Sequence, residues 1–336
     1  MKAWILEKQA KIGKKPLKLT EVPTPHAEKG EIRIKNLVCG VCRTDIHIIE
    51  GDLPLKKSPV ILGHEIVGVV DEVGKGVKRF KVGDKVGVCW LYSTCGKCKY
   101  CLSGRENFCP DIKCTGWDKD GGYAEYITIR EDFALALNNV HLEPYDIAPL
   151  MCPGIAGYAA FKLTEAKKGD KLGLYGFGPT AFFVLKVAKS LGIEVYVSTR
   201  SEKNIKAAND AGAVFAADTS KHKMPCKLDS AIIFPPAGGL VEQGLSTLQR
   251  GGILVLAPVS ATPIVIDDYS RNLWGRSIKT LYNLKRSDAQ EFLEIANKLQ
   301  IRPERCIFWF EDLPDVLISA RKGELKEANA VIKISD

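Results

Sequence analysis

Short runs of alternating apolar and polar residues fill the first part of the chain. Glu31–Val38, Glu65–Glu72 and Lys85–Cys89 read as strands, broken by Gly74, Gly76, Gly83 and Asp84. Short strands separated by Gly-rich turns predict a barrel-like β domain. From Gly169 the rhythm changes. The apolar strand Lys171–Tyr175 leads into a helix-compatible run, Thr180–Leu191, closed by Gly192. Strand Ile193–Ser198 and helix Ser201–Ala211, closed by Gly212, come next, and strands Ser230–Phe234 and Ile253–Leu256 follow. Strands alternating with helices predict a parallel sheet covered on both faces. That sheet is expected to leave an edge near Ile253–Pro263. Past about residue 287 a helix, Asp288–Leu299, and a last strand, Ala330–Ile334, close the chain.

Composition narrows the class. The 336 residues suit about two domains at roughly 100–200 residues each. With 46% hydrophobic and 26% charged residues the chain reads as globular. No apolar run approaches the roughly 18–20 residues of a membrane span, so no membrane partner is expected. The start, Met1-Lys2-Ala3-Trp4-Ile5-Leu6-Glu7-Lys8, is too charged for a signal peptide, which points to the cytoplasm. A net charge of +8 is spread over 48 basic and 40 acidic residues without a basic stripe. A small anionic molecule fits that surface better than a nucleic acid, which is not expected as a partner.

Eleven cysteines in a chain read as intracellular suggest metal before disulfide. Cys95, Cys98, Cys101 and Cys109 form C-x2-C-x2-C-x7-C, in a lobe over about residues 90–114. Four thiolates on short loops make a closed tetrahedral site, and soft sulfur favours zinc. Lys97, Lys99 and Arg105 lie close enough in sequence to offset its charge. A second set is dispersed: Cys42, His64, Glu65 and Cys152. Singly, each reads as an ordinary core residue; together, two thiolates and one imidazole would leave a fourth zinc position open.

Strand Lys171–Tyr175 runs into Gly176-Phe177-Gly178-Pro179-Thr180-Ala181, a G-x-G-x-x-A loop opening a helix. Gly176 permits the tight turn, Gly178 lets a pyrophosphate approach the backbone, and Ala181 lets helix and sheet pack closely. The phosphates would sit at the helix N-terminus. The next strand ends Val197-Ser198-Thr199-Arg200-Ser201, with no acidic residue to take the ribose hydroxyls of NAD. Thr199 and Arg200 suit a 2′-phosphate, so NADP is expected over NAD. Arg200 facing solvent would leave NAD acceptable.

These stretches, in this order, resemble the zinc-dependent medium-chain alcohol dehydrogenase family, and its tetrameric microbial branch most. The matching segments are Cys39-Gly-Val-Cys-Arg-Thr-Asp-Ile-His47, Gly63-His64-Glu65-Ile66-Val67-Gly68, Val82-Gly83-Asp84-Lys85-Val86, the four-cysteine lobe, Cys152-Pro-Gly-Ile-Ala-Gly-Tyr158 and the glycine loop. The resemblance implies an α/β chain with a GroES-like β-barrel catalytic domain, residues 1–150 and 286–336. A Rossmann doubly wound parallel-sheet cofactor domain would span 151–285. It implies two zinc ions per chain: a structural one in the lobe, and a catalytic one on Cys42, His64 and Cys152 with Glu65 as alternate ligand. Cys39 would only pack. Asp45 would orient His64. Thr44 would bond the substrate oxygen, His47 would end a proton relay, and Arg43 would hold the cofactor pyrophosphate. The implied reaction interconverts alcohols with aldehydes or ketones by hydride transfer, in a homodimer or homotetramer.

Two departures bear on specificity. Ala156 stands where many relatives carry a hydroxyl, and Leu53 where some small-alcohol members carry Trp. Trp90 without that second indole suggests a roomier pocket, for medium-length or aromatic primary alcohols and aldehydes. A polyol, sugar or threonine dehydrogenase of the same family is the alternative, though such members often replace the third thiolate by a carboxylate. A non-catalytic zinc-lobe binding protein is the other.

Overall fold

The computed structural model describes residues 1–325 and 329–335. The chain divides into two compact units, Met1–Cys152 with Asn283–Asp336, and Pro153–Tyr282. Cys152 is the last residue of the first segment, so it belongs to the same unit as Cys42, His64 and Glu65.

In the first unit, strand Glu31–Gly40 is the spine. Its alternation buries Ile32, Ile34 and Val38 on one face. It pairs antiparallel with Glu65–Val73, Tyr126–Arg130 and Asn329–Lys333. Lys85–Val88 and Leu135–Ala136 extend the sheet on one side, and Arg305–Trp309 extends it on the other. A smaller sheet joins Leu17–Glu21, Lys2–Leu6 and Val60–Ile61. The last strand therefore returns from the far end of the chain into the N-terminal sheet, which makes this unit discontinuous.

Helix Arg43–Glu50 starts right after the spine strand. Cys42 is its N-cap residue, and Asp45, at the third helical position, turns its side chain back to the Cys42 N–H at 3.1 Å. Gly51, at φ 95°, ends the helix in the left-handed conformation that glycine takes without a Cβ clash.

The second unit is a six-stranded parallel sheet. Its strands run in the order Phe215–Ala217, Glu194–Ser198, Lys171–Tyr175, Leu228–Ile233, Leu248–Leu256 and Ser277–Thr280. The first strand in sequence is central and the order reverses beside it, the doubly wound Rossmann arrangement. Helices Pro179–Ser190, Glu202–Ala211 and Gly239–Thr247 connect the strands. The expected edge near Ile253–Pro263 lies elsewhere. Leu248–Leu256 is paired on both sides, and the edge strand is Ser277–Thr280. That strand has four residues, none fully buried, and carries too little apolar periodicity to be read from sequence. No described helix is long and apolar enough to cross a membrane.

A candidate metal centre and active site

Cys42, His64, Glu65 and Cys152 converge, with one ligand-type atom from each lying within 4.8 Å of every other. Cys42 comes from the N-cap of a helix and Cys152 from a turn before the helix Pro153–Leu163. His64 and Glu65 come from the entry to the strand Glu65–Val73. The sulfurs of Cys42 and Cys152 are 3.6 Å apart. A tetrahedral ion with metal–sulfur bonds of about 2.3 Å would hold two thiolates about 3.8 Å apart, so the spacing fits zinc. His64 is wholly buried, and neither ring nitrogen has a hydrogen-bond partner in the protein. A buried imidazole without a partner is costly unless it binds something. Its Nδ1 does approach Asp45 Oδ1 at 3.3 Å, off the direction of a good hydrogen bond. Nε2 is the nitrogen left for an ion.

The electrostatics are those of a ligand set. A hydrogen bond from Cys152 and the charge of His64 hold the Cys42 thiol well below its ordinary pKa against burial, and Cys152 is correspondingly high. Burial pulls His64 down, but Asp45 and Cys42 outweigh it and keep the ring's pKa well up. Burial pushes Glu65 well above the usual carboxylate range. A dication would relieve this crowd of buried acids.

Asp45 is fully buried, and its two oxygens accept from Cys42 N–H at 3.1 Å, Gly63 N–H at 3.3 Å and the Tyr123 hydroxyl at 2.8 Å. Thr44 Oγ1 is 3.5 Å from Cys42 Sγ. His47 Nδ1 is 2.7 Å from Asp52 Oδ2. Arg43 is exposed at the first helical position, and Cys39 is buried in the core. Trp90 meets the His64 ring edge-on at 5.0 Å and bonds Asn283 Oδ1 through its indole N–H at 3.1 Å. Leu53 is half-buried, its N–H bonded to His47 O.

Sequence reasoning missed several neighbours. Trp117 stacks on Trp90 at 5.7 Å, so a second indole is present after all, from a different segment than the one occupied by Leu53. Its indole N–H donates to Pro54 O at 2.8 Å. Tyr123 and Asp52 were also unmarked. The one sequence hint was Gly121-Gly122 before Tyr123, since a Cβ at either would strike backbone or core side chains.

In the lobe, Cys95, Cys98, Cys101 and Cys109 form the second convergent group. Sulfur separations of 3.5, 3.6 and 3.9 Å again match a tetrahedron. The N–H groups of Lys97 and Cys98 lower the Cys95 thiol to about 7, and burial raises Cys109 to about 12. Glu106 in the lobe accepts from the Arg286 backbone N–H and two of its guanidinium nitrogens, and so fixes the start of helix Arg286–Lys298.

In the second unit, Gly176 has φ 83° and Pro235 occupies the space a Cβ would need. Gly178 is the helix N-cap with open space before it, and Ala181 is buried. Thr199 is nearly buried just past strand Glu194–Ser198, while Arg200 is exposed; the Asp218 carboxyl is lowered mainly by Ser220 hydrogen bonds, with a minor contribution from Arg200.

A parallel-sheet Rossmann unit and a GroES-like unit with two thiolate-rich clusters define an oxidoreductase of the dehydrogenase class. The alcohol dehydrogenase GroES-like domain family matches residues 28–139. The "probable alcohol dehydrogenase AdhA" of Mycobacterium tuberculosis (strain CDC 1551 / Oshkosh) is 42% identical over 302 residues, covering 88% of this chain and 87% of that protein. The cinnamyl alcohol dehydrogenase structure from Sorghum bicolor superposes with TM-score 0.88 at 26% identity, covering 99% and 97% of the two chains. The Helicobacter pylori CAD complexed with NADP(H) gives TM-score 0.87, also at 26% identity, over 99% and 97%. The chain belongs to the zinc-dependent medium-chain alcohol dehydrogenase family, and alcohol dehydrogenase activity comes with that membership.

Proposed function

We propose a zinc-dependent, NAD(P)-linked alcohol dehydrogenase that favours NADP and works on medium-length or aromatic primary alcohols and their aldehydes. The observation that carries the reading is the convergence of Cys42, His64, Glu65 and Cys152 around a buried imidazole whose ring nitrogens make no well-directed hydrogen bond to the protein. Cys42, His64 and Cys152 hold the catalytic zinc, with Glu65 as alternate ligand. Cys95, Cys98, Cys101 and Cys109 hold a structural one. Zinc, when bound, acts as a Lewis acid that makes an alcohol oxygen more acidic, and the nicotinamide of NAD(P) exchanges the hydride.

The remaining work falls to protein groups. Asp45 keeps His64 in the tautomer that presents Nε2. Thr44 Oγ1 accepts the substrate hydroxyl's proton as its own hydroxyl proton leaves toward His47. His47 releases it to solvent at Nε2, since Asp52 engages Nδ1. Trp90 and Leu53 serve the substrate pocket by family likeness, Trp117 joins through its stack on Trp90, and these apolar residues suit an aryl or alkyl chain of the kind the Sorghum relative's cinnamyl name indicates. Gly176, Gly178 and Ala181 seat the pyrophosphate, and Thr199 and Arg200 receive the 2′-phosphate; Arg43 is assigned to the pyrophosphate by family likeness alone. The Helicobacter pylori structure, which carries NADP(H), supports that choice. The free thiols both clusters need suit a reducing cytoplasm, and by family likeness the assembly is a homodimer or homotetramer.

The test is metal content with turnover. The protein should carry two zinc per chain. Cys152→Ala should keep the fold and the lobe zinc but lose turnover, whereas Cys98→Ala should first lose stability. Full activity in Cys152→Ala, or a single zinc in the wild type, would overturn the reading.

A further inference from the structure

Tyr123 is among the largest fully buried side chains, and the mechanism above gives it no task. Its hydroxyl lies 2.8 Å from Asp45 Oδ2 and 3.3 Å from Gly40 O. The carboxylate of Asp45 therefore has one side-chain donor in addition to the N–H groups of Cys42 and Gly63. These contacts divide its two oxygens. Oδ2 takes Cys42 N–H and Tyr123, and Oδ1 faces Gly63 N–H and His64 Nδ1.

The backbone of Tyr123 is anchored on both sides. Tyr123 N–H bonds Leu62 O at 3.0 Å, and Trp4 N–H bonds Tyr123 O at 2.9 Å. Its ring lies against Gly63, where an added Cβ would come within 2.9 Å of Cδ1. Gly63 has φ 91°, so the turn that delivers His64 is shaped against this ring. One aromatic residue thus touches both the carboxylate beside His64 and the turn that carries His64.

We propose that Tyr123 is a positioning residue for the catalytic metal site: by donating to Asp45 Oδ2 it fixes the carboxylate so that Oδ1 orients His64 for the ion. Without that donor, Asp45 keeps only the N–H groups of Cys42 at 3.1 Å and Gly63 at 3.3 Å, so the carboxylate is held less firmly and orients the imidazole less well.

This inference rests on the metal assignment of Cys42, His64 and Cys152, and the experiment separates the two. Zinc is titrated out of wild type, Tyr123→Phe, Asp45→Asn and the double variant with a graded chelator, and both zinc ions are counted by mass spectrometry. The lobe zinc is an internal reference. Partners beyond the ligands commonly contribute about 10–100-fold to metal affinity, and Tyr123, one contact further out, is expected to sit near tenfold. Tyr123→Phe should release the catalytic zinc about tenfold more readily and leave the lobe zinc unchanged. In the Asp45→Asn background the same change should add nothing.

Unchanged release in Tyr123→Phe overturns the proposal. So does equal loss of both zinc ions, or a tenfold effect that persists without Asp45, because each assigns Tyr123 to general packing. If Tyr123→Phe does not accumulate, Tyr123→Met, also without a hydroxyl, takes its place in the same cycle. A wild type holding only the lobe zinc would instead overturn the metal assignment beneath it.

Discussion

Gly40 stands opposite Glu65 in the register of the paired strands, and the Glu65 carboxylate occupies the space a side chain at Gly40 would need. The glycine's own backbone is ordinary extended strand, so its value lies in the missing Cβ. Glu65 can stay folded over the strand beside the cysteine pair only while position 40 is bare.

Gly40→Ala should therefore displace the Glu65 carboxylate rather than strain the strand. Overpacking of this kind costs about 1–3 kcal/mol of stability. If Glu65 serves as alternate ligand during exchange at the metal, kcat should fall by roughly tenfold or more with KM little changed. Thermal unfolding and steady-state kinetics on the zinc-loaded variant check both, and an unchanged kcat would remove Glu65 from the reaction.

Much of the second unit was legible because its chemistry is local. An apolar strand running into Gly176 and a helix read from Thr180 show themselves within ten residues, and the structure begins that helix one residue earlier, at Pro179. The four-cysteine lobe was legible for the same reason. The outer contacts of the catalytic cluster were not. Tyr123 and Asp45 are separated by 78 positions, and Trp90 and Trp117 meet only after the short strands Leu91–Ser93 and Lys113–Cys114 pair. Nothing in the alternation around Trp117 shows that it will stack on Trp90. Ser277–Thr280 was missed because a four-residue edge strand has no periodicity to read.

Trp117 should set preference for bulky substrates. It stacks on Trp90, and such pairs contribute about 0.5–1.5 kcal/mol beyond their area. Trp117→Ala should lower kcat/KM for benzaldehyde by about 2–12-fold while acetaldehyde changes less. A parallel loss for both aldehydes would mean that the indole supports the fold and not the substrate.

Arg200 is the residue on which the cofactor choice turns. Strand Glu194–Ser198 ends beside Thr199 and Arg200 with no acidic residue there, and the nearby Asp218 is occupied by Ser220 N–H and hydroxyl contacts. A charge-assisted contact to a phosphate is worth about 1.5–3 kcal/mol. Arg200→Ala should cut kcat/KM for NADPH by roughly 10–150-fold and hardly alter that for NADH. If wild type already prefers NADH, Arg200 points away from the ribose, and the zinc chemistry stands without the NADP preference.

The lobe offers a prediction with a defined pH. In metal-free protein the N–H groups of Lys97 and Cys98 hold the Cys95 thiol at about 7, below the ordinary 9.0. The folded value is depressed, so the thiolate gains as pH rises through about 7 and is lost as pH falls below it. Thiolate is the species that alkylates. Iodoacetamide should therefore modify Cys95 with a rate midpoint near pH 7, well ahead of Cys109, which burial holds at about 12. Added zinc should protect both, because the thiolates become ligands, and acid should release the metal as protons compete for sulfur. Peptide mass spectrometry across pH reads each cysteine separately. Equal rates at Cys95 and Cys109 would remove the thiolate difference, and no protection by zinc would show that the four sulfurs do not act as one site.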